Sequence, residues 1–149
     1  MIAIGGWNQG SEIFSQVAAD PAKRATLMNT ATDLVRKNNF DGFDLDWEYP
    51  AQRGGRPEDK DNFSTLIAEF RARFDKEGLL LSAAVHCSPT AVDVSYDVPA
   101  LSKYLDYINV MTYDIHGSWD PVTGHNAPLF AGPNDLKLYG NDINVVSAA

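Results

Sequence analysis

The sequence predicts an α/β fold of about four parallel strands alternating with helices, and three observations predict it. Short apolar stretches begin near residues 2, 40, 79 and 105. Between them run segments whose apolar residues recur at helical spacing, the succession expected of parallel strand–helix–strand units with right-handed crossovers. Trp7, Glu48, His86 and Tyr113 each fall at or just past the C-terminal end of a predicted strand. Chemistry gathered at that end is characteristic of the (β/α)8 barrel.

Residues 2–6 (Ile-Ala-Ile-Gly-Gly) form the first strand. By parity Ala3, Gly5 and Trp7 point one way and Ile2 and Ile4 the other. Small residues on the inner face leave room for a ligand. Trp7 follows two glycines at a loop mouth, where it serves as an aromatic platform or packs into the core. The first helix is well marked. Asp20 is a good N-cap and Pro21 a good first residue. Leu27, Met28, Ala31, Leu34 and Val35 form its stripe, and Arg36 and Lys37 suit the dipole at its end.

The second strand carries the chain's densest chemistry. In Asp41-Gly42-Phe43-Asp44-Leu45-Asp46-Trp47-Glu48-Tyr49-Pro50, acidic and apolar residues alternate. Asp44, Asp46 and Glu48 therefore share one face and Phe43, Leu45 and Trp47 the other. Asp41 breaks the register and reads as structural, near the strand entrance. Neighbouring carboxylates lie about 6–7 Å apart along such a face. In a shielded site they cannot all ionise cheaply, so at least one is expected to hold its proton near neutral pH. One protonated acid beside charged neighbours suits acid-catalysed bond cleavage. A solvated acidic face is the bland alternative, but Asp and Glu are depleted in strands. A divalent-metal site is the other, although three carboxylates in line on a straight strand wrap an ion poorly.

Residues 51–60 (AQRGGRPEDK) read as a polar loop. A helix follows with Phe63, Leu66, Ile67, Phe70 and Phe74 on one stripe and Gly78 as its C-cap. On the strand from Leu79 to His86, Leu79, Leu81, Ala83 and Val85 share one face, and Ser82, Ala84 and His86 the other. His86 is read as site-adjacent or as an ordinary hydrogen-bonded histidine. Asp97-Val98-Pro99 opens a short helix to about Lys103, and 105–113 is the fourth strand. On it Tyr107, Asn109, Met111 and Tyr113 share a face. Residues 115–140 form a long loop with His116, Trp119 and His125. Neither histidine has metal-ligand company, so both read as loop-ordering. Asp142 is expected to cap a last helix.

A length of 149 residues suits one domain, and 44% hydrophobic residues is a globular composition. The net charge of -8, with no basic run, argues against nucleic acid and anionic membrane surfaces as partners. No stretch reaches the length of a transmembrane span. Met1 to Ile4 runs straight into Gly5-Gly6, so no signal peptide is expected. Cys87, the only cysteine, can form no internal disulfide and is expected to be a small buried residue.

DGFDLDWEYP resembles the DxxDxDxE signature of the family-18 glycoside hydrolases, the chitinases and their relatives, at Asp41, Asp44, Asp46 and Glu48. Met111-Thr112-Tyr113-Asp114 resembles the family's MxYD motif, and residues 2–6 its SxGG strand with Ala3 in place of serine. HGSWD…GHNAPLF resembles the corresponding loop of the animal-type chitinases. The resemblance runs from residue 1 to about 149. It implies a (β/α)8 TIM barrel, with these four strands corresponding to the family's third to sixth. Residues 1–149 would then be part of a catalytic barrel domain, a fragment with exposed sheet edges and a tendency to self-associate. The implied activity is retaining, substrate-assisted hydrolysis of β-1,4-linked N-acetylglucosamine in chitin or chito-oligosaccharides. Glu48 would be the acid, Asp46 would bond to the acetamido N–H, Asp44 would share a proton or hydrogen bond with Asp46, and Tyr113 would hold the acetamido carbonyl. Trp7, Tyr49, Met111, Asp114 and Trp119 would shape the sugar subsites. No metal or organic cofactor is required, and the family is largely secreted. The alternatives are a non-catalytic chitin-binding lectin-like fragment, an endo-β-N-acetylglucosaminidase and an inert fragment.

Overall fold

The computed structural model describes residues 1–132 and 143–148. Its sheet holds β1 (Ile2–Gly5), β2 (Gly42–Asp46), β3 (Leu80–His86) and β4 (Tyr107–Met111), in that order and all parallel. The helices are α1 (Glu12–Ala19), α2 (Pro21–Lys37), α3 (Asp59–Glu77), α4 (Pro89–Ser95), α5 (Val98–Tyr104) and α6 (Val145–Ala148). A turn of 3-10 helix covers Trp7–Gln9. The α/β class and the four predicted strands hold. The expected cap at Asp142 lies outside the described residues.

The helix ends follow their sequence signals. Asp20 accepts from the backbone N–H groups of Ala22 and Lys23 at the start of α2. Gly78 closes α3 in the left-handed conformation, its N–H on Phe74 O. Asp97 caps α5 through Ala100 N–H.

Two helices were not expected. α1 turns only Phe14 and Ala18 of its apolar residues fully inward, too short a stripe to show as a period. α4 spans seven residues behind Pro89. One stripe assignment is also corrected. Leu34 is exposed, while Arg24 and Thr32 are buried on α2. Arg24 lies inward because it is fully engaged: it pairs bidentately with Glu69 and donates to Ala18 O.

The core lies on one side of the sheet. Phe43, Leu45 and Trp47 from the β2 stretch and Leu81 and Ala83 from β3 are essentially inaccessible, as are Leu66, Ile67, Phe70 and Phe74 of α3. Each such large side chain contributes about 1.5–3 kcal/mol of burial. Phe43 stacks on Phe70, and Trp47 stacks on Phe14 and meets Phe63 edge-on. Trp47 Nε1 donates to Ser11 Oγ at 2.6 Å, so its one polar atom is satisfied. The outer strands are barer: among the described residues β1 and β4 each pair with one neighbour, and Tyr107 and Ile108 are exposed.

The loop after β2 is tied down from beneath. Asp59, fully buried, accepts from Ser15 Oγ at 2.7 Å, Arg56 N–H at 2.7 Å and Ala51 N–H at 3.3 Å. A buried carboxylate is tolerated only when its oxygens are paired in this way.

Candidate active site

β2 ends at Asp46, and the chain continues past the sheet edge through Trp47, Glu48 and Tyr49, with a cis peptide between Glu48 and Tyr49. The alternation persists beyond the strand: Trp47 stays in the core, and Glu48 faces a cleft while only 8% exposed. Gly5 permits the close approach of β1, because a side chain there would collide with the Asp46 carbonyl. The resulting cleft, about 750 Å3, opens at the C-terminal ends of the strands. It gathers Trp7, Asp46, Glu48, Tyr49, Met111, Tyr113, Asp114 and Trp119. Of the candidate residues only Asp44 stays outside the lining, one step deeper along β2.

Asp44 and Asp46 live in different surroundings. Asp44 Oδ1 accepts from Ser82 Oγ and, at 3.0 Å, from Asn109 Nδ2. Register explains the first bond, since Asp44 and Ser82 are partners across β2 and β3. Ala3 is Asp44's partner on the other side, so the hydroxyl missing from β1 is supplied by β3. Asp46 has no such help: its Oδ1 is buried with no hydrogen-bond partner. Burial first, then the charges of Glu48 and Asp44, push its carboxyl up to about 6. Asp44 thus bonds to Ser82 and Asn109, while Asp46 feels it through charge. Asp46 therefore changes charge just below neutrality.

Tyr49 is half-buried, and its phenol is pushed up by burial and then by a side-chain hydrogen bond to Glu48. Tyr113 and Asp114 lie just beyond β4. Burial raises the Tyr113 phenol, with Asp46 and Glu48 adding to it. Asp114 adopts a left-handed conformation and accepts from Asn126 Nδ2 at 2.9 Å. Trp7 and Trp119 are 59% and 64% exposed, so both lie on the surface at the cleft rather than in the core. His116 is buried against Asp120, Nδ1 to Oδ2 at 3.2 Å, as suits a loop-ordering histidine. Among the described residues no cluster of His, Cys, Asp or Glu is arranged to hold a metal. No described helix is long and apolar enough to cross a membrane.

Arg53 was invisible in the sequence. Its Nη1 donates to Glu48 O and its Nη2 to Trp7 O, each at 3.0 Å, and its guanidinium lies 3.5 Å from the centre of the Trp7 ring. One side chain thus links the aromatic platform to the backbone of the candidate acid. Nothing in the AQRGGRPEDK loop distinguishes it from Arg56, which instead bonds to Ser15. Ser82 and Asn109 were placed on the correct faces, but their convergence on Asp44 depends on register.

The arrangement can protonate a leaving oxygen, offer a second carboxyl that changes charge near neutrality, and stack apolar sugar faces. The chain is 49% identical over 134 residues to a probable chitinase 2 of Drosophila melanogaster, covering 90% of this chain and 28% of that protein. It is 42% identical over 144 residues to the oviduct-specific glycoprotein of Mus musculus, covering 92% of this chain and 20% of that protein. The Group IV chitinase of Ostrinia furnacalis, solved in complex with allosamidin, superposes with a TM-score of 0.91 at 47% identity, covering 98% of this chain and 40% of that one. The chain therefore spans well under half the length of these relatives. The family model for glycosyl hydrolases family 18 matches residues 1–149 throughout, and with the acidic strand and its cleft as described, the chain belongs to that family.

Proposed function

We propose that this chain carries the acid-bearing part of a retaining, substrate-assisted glycoside hydrolase acting on β-1,4-linked N-acetylglucosamine in chitin or chito-oligosaccharides. The observation that carries the reading is the pair at the end of β2. Glu48 faces the cleft, and beside it Asp46 holds a buried acceptor without a partner. That acceptor is free to take an acetamido N–H.

In this mechanism Glu48 donates its proton to the glycosidic oxygen as the C1–O bond breaks. The sugar's own acetamido carbonyl oxygen attacks C1 and forms an oxazolinium ion, so no enzyme carboxylate becomes the nucleophile. Asp46 stabilises the N–H of that ion. Tyr113 holds the carbonyl oxygen in its attacking position, and Asp44, held by Ser82 and Asn109, raises the proton affinity of Asp46. Water then opens the ion and returns a proton to Glu48. Trp7, Tyr49, Met111, Asp114 and Trp119 frame the sugar chain. An extracellular location and the assignment of 1–149 to one catalytic barrel domain belong to the same proposal, supported by family membership.

A second reading, binding without cleavage, is favoured by the exposure of Trp7 and Trp119, because catalysis relies on excluding water. The test is turnover of a fluorogenic chitotriose substrate by the 149-residue chain beside its Glu48→Gln variant. Activity confined to the parent supports hydrolysis. Tight binding of chitotriose with no turnover in either supports the lectin-like reading. Neither binding nor turnover overturns both.

A further inference from the structure

We propose that His86 contacts the sugar directly and helps set ligand preference, donating a hydrogen bond from Nε2 to a hydroxyl or acetamido oxygen in the cleft. The proposal rests on the chito-oligosaccharide reading above. His86 is the last residue of β3 and lines the cleft with Glu48, Tyr49 and Met111. Met111 is its register partner on β4. The ring is fixed on two sides. Its Nδ1 accepts from the Ser88 backbone N–H at 2.8 Å, and its face meets the Tyr49 ring at a steep angle, centroids 4.8 Å apart.

The Ser88 bond decides the tautomer. A nitrogen that accepts from an N–H carries no proton, so the neutral ring bears its hydrogen on Nε2. Nε2 has no protein partner among the described residues. A half-buried, oriented donor beside a cleft, with no protein partner among the described residues, is placed to meet a ligand oxygen in place of water. Burial also holds the imidazole below its ordinary value, against the pull of Glu48, which favours the neutral ring. A proton-transfer role is not needed, since Glu48 already occupies that position. A metal-ligand role lacks partners among the described residues.

The test separates anchor from donor. Asparagine at 86 can keep the Ser88 contact but is too short to reach where Nε2 lies. Glutamine reaches that position with an amide N–H. Titration calorimetry with tri-N-acetylchitotriose should show His86→Asn weakening binding about five- to tenfold and His86→Gln returning to within about twofold of the parent. In the 15N-histidine-labelled parent the His86 Nε2–H signal should move on adding the sugar. Unchanged affinity in His86→Asn, equal loss in both variants or a stationary Nε2–H signal would overturn the proposal while leaving the chito-oligosaccharide reading intact. Failure of the parent chain to bind the sugar would overturn both.

Discussion

On one face of the β2 stretch, Phe43, Leu45 and Trp47 are sealed beneath α1 and α3, every ring against another ring. On the other, Asp46 and Glu48 line a cleft with Asp44 one step deeper, and one Asp46 carboxylate oxygen is buried with nothing to bond to. The two faces are built from alternate residues of one segment, so neither can shift without the other. The apolar face supplies the burial that fixes the strand. The acidic face spends part of it on charges that would be better solvated. Crowding carboxylates is unfavourable for folding, and it is also what moves the Asp46 proton equilibrium towards neutrality.

The largest expected effect on the acidic face is functional. Glu48→Gln should lower turnover of chito-oligosaccharide by about 10²–10⁴-fold, the usual span for general acid catalysis, with little change in melting temperature. A variant that kept near-parental rates would remove Glu48 from the mechanism. Trp47→Ala, on the opposite face one residue away, should do the reverse and cost about 3–5 kcal/mol of stability. Chemical denaturation would reveal it, and a loss under about 1 kcal/mol would mean that the apolar face is not the main support.

Asp46→Asn sharpens the comparison through pH. The folded-state value near 6 lies above the ordinary 3.8. As pH rises the unfolded chain therefore loses this proton first. Between those values the native state holds more protons, so stability falls with rising pH. The penalty is absent below about pH 4 and complete above about pH 6. The asparagine variant should therefore be the more stable at pH 8, by on the order of 1 kcal/mol after discounting for solvent screening, and should match the parent near pH 3.5. A difference independent of pH would argue against a charge penalty. Smallest of all, Arg53→Met should weaken chitotriose binding by about two- to fivefold by freeing the Trp7 ring, as calorimetry would measure. Unaltered affinity would mean that Trp7 orders itself without the guanidinium.

Much of this was legible in the sequence because period-two alternation is unambiguous over ten residues. It placed Phe43, Leu45 and Trp47 in the core and the acids on the cleft side, and Asp20, Gly78 and Asp97 announced their helix ends. Residues that act across strands were harder to read. Ser82 reaches Asp44 only because β2 and β3 pair in one register, and sequence spacing carries no trace of it. Arg53 reaches Trp7 across 46 residues by way of a loop fold that side chains elsewhere impose. α1 was hidden because two buried apolar residues make no visible stripe. Leu34 was misassigned for a related reason: Arg24, satisfied by Glu69 and Ala18, took a place on the inner face of α2 that hydrophobicity alone would have denied it.

The buried Asp59 bears on how this cleft could be redesigned. Because that carboxylate gathers Ala51, Arg56 and Ser15, the segment from 51 to 56 has a set length. Adding or deleting residues there would pull Arg53 away from Trp7. The exposed 121–125 segment has no such buried carboxylate gathering it among the described residues, and its one close packing point is Gly124, which lies against the buried His116 ring and must stay glycine. Loop transplants meant to change which sugars are accepted should begin at 121–125, leaving 51–56 at its native length.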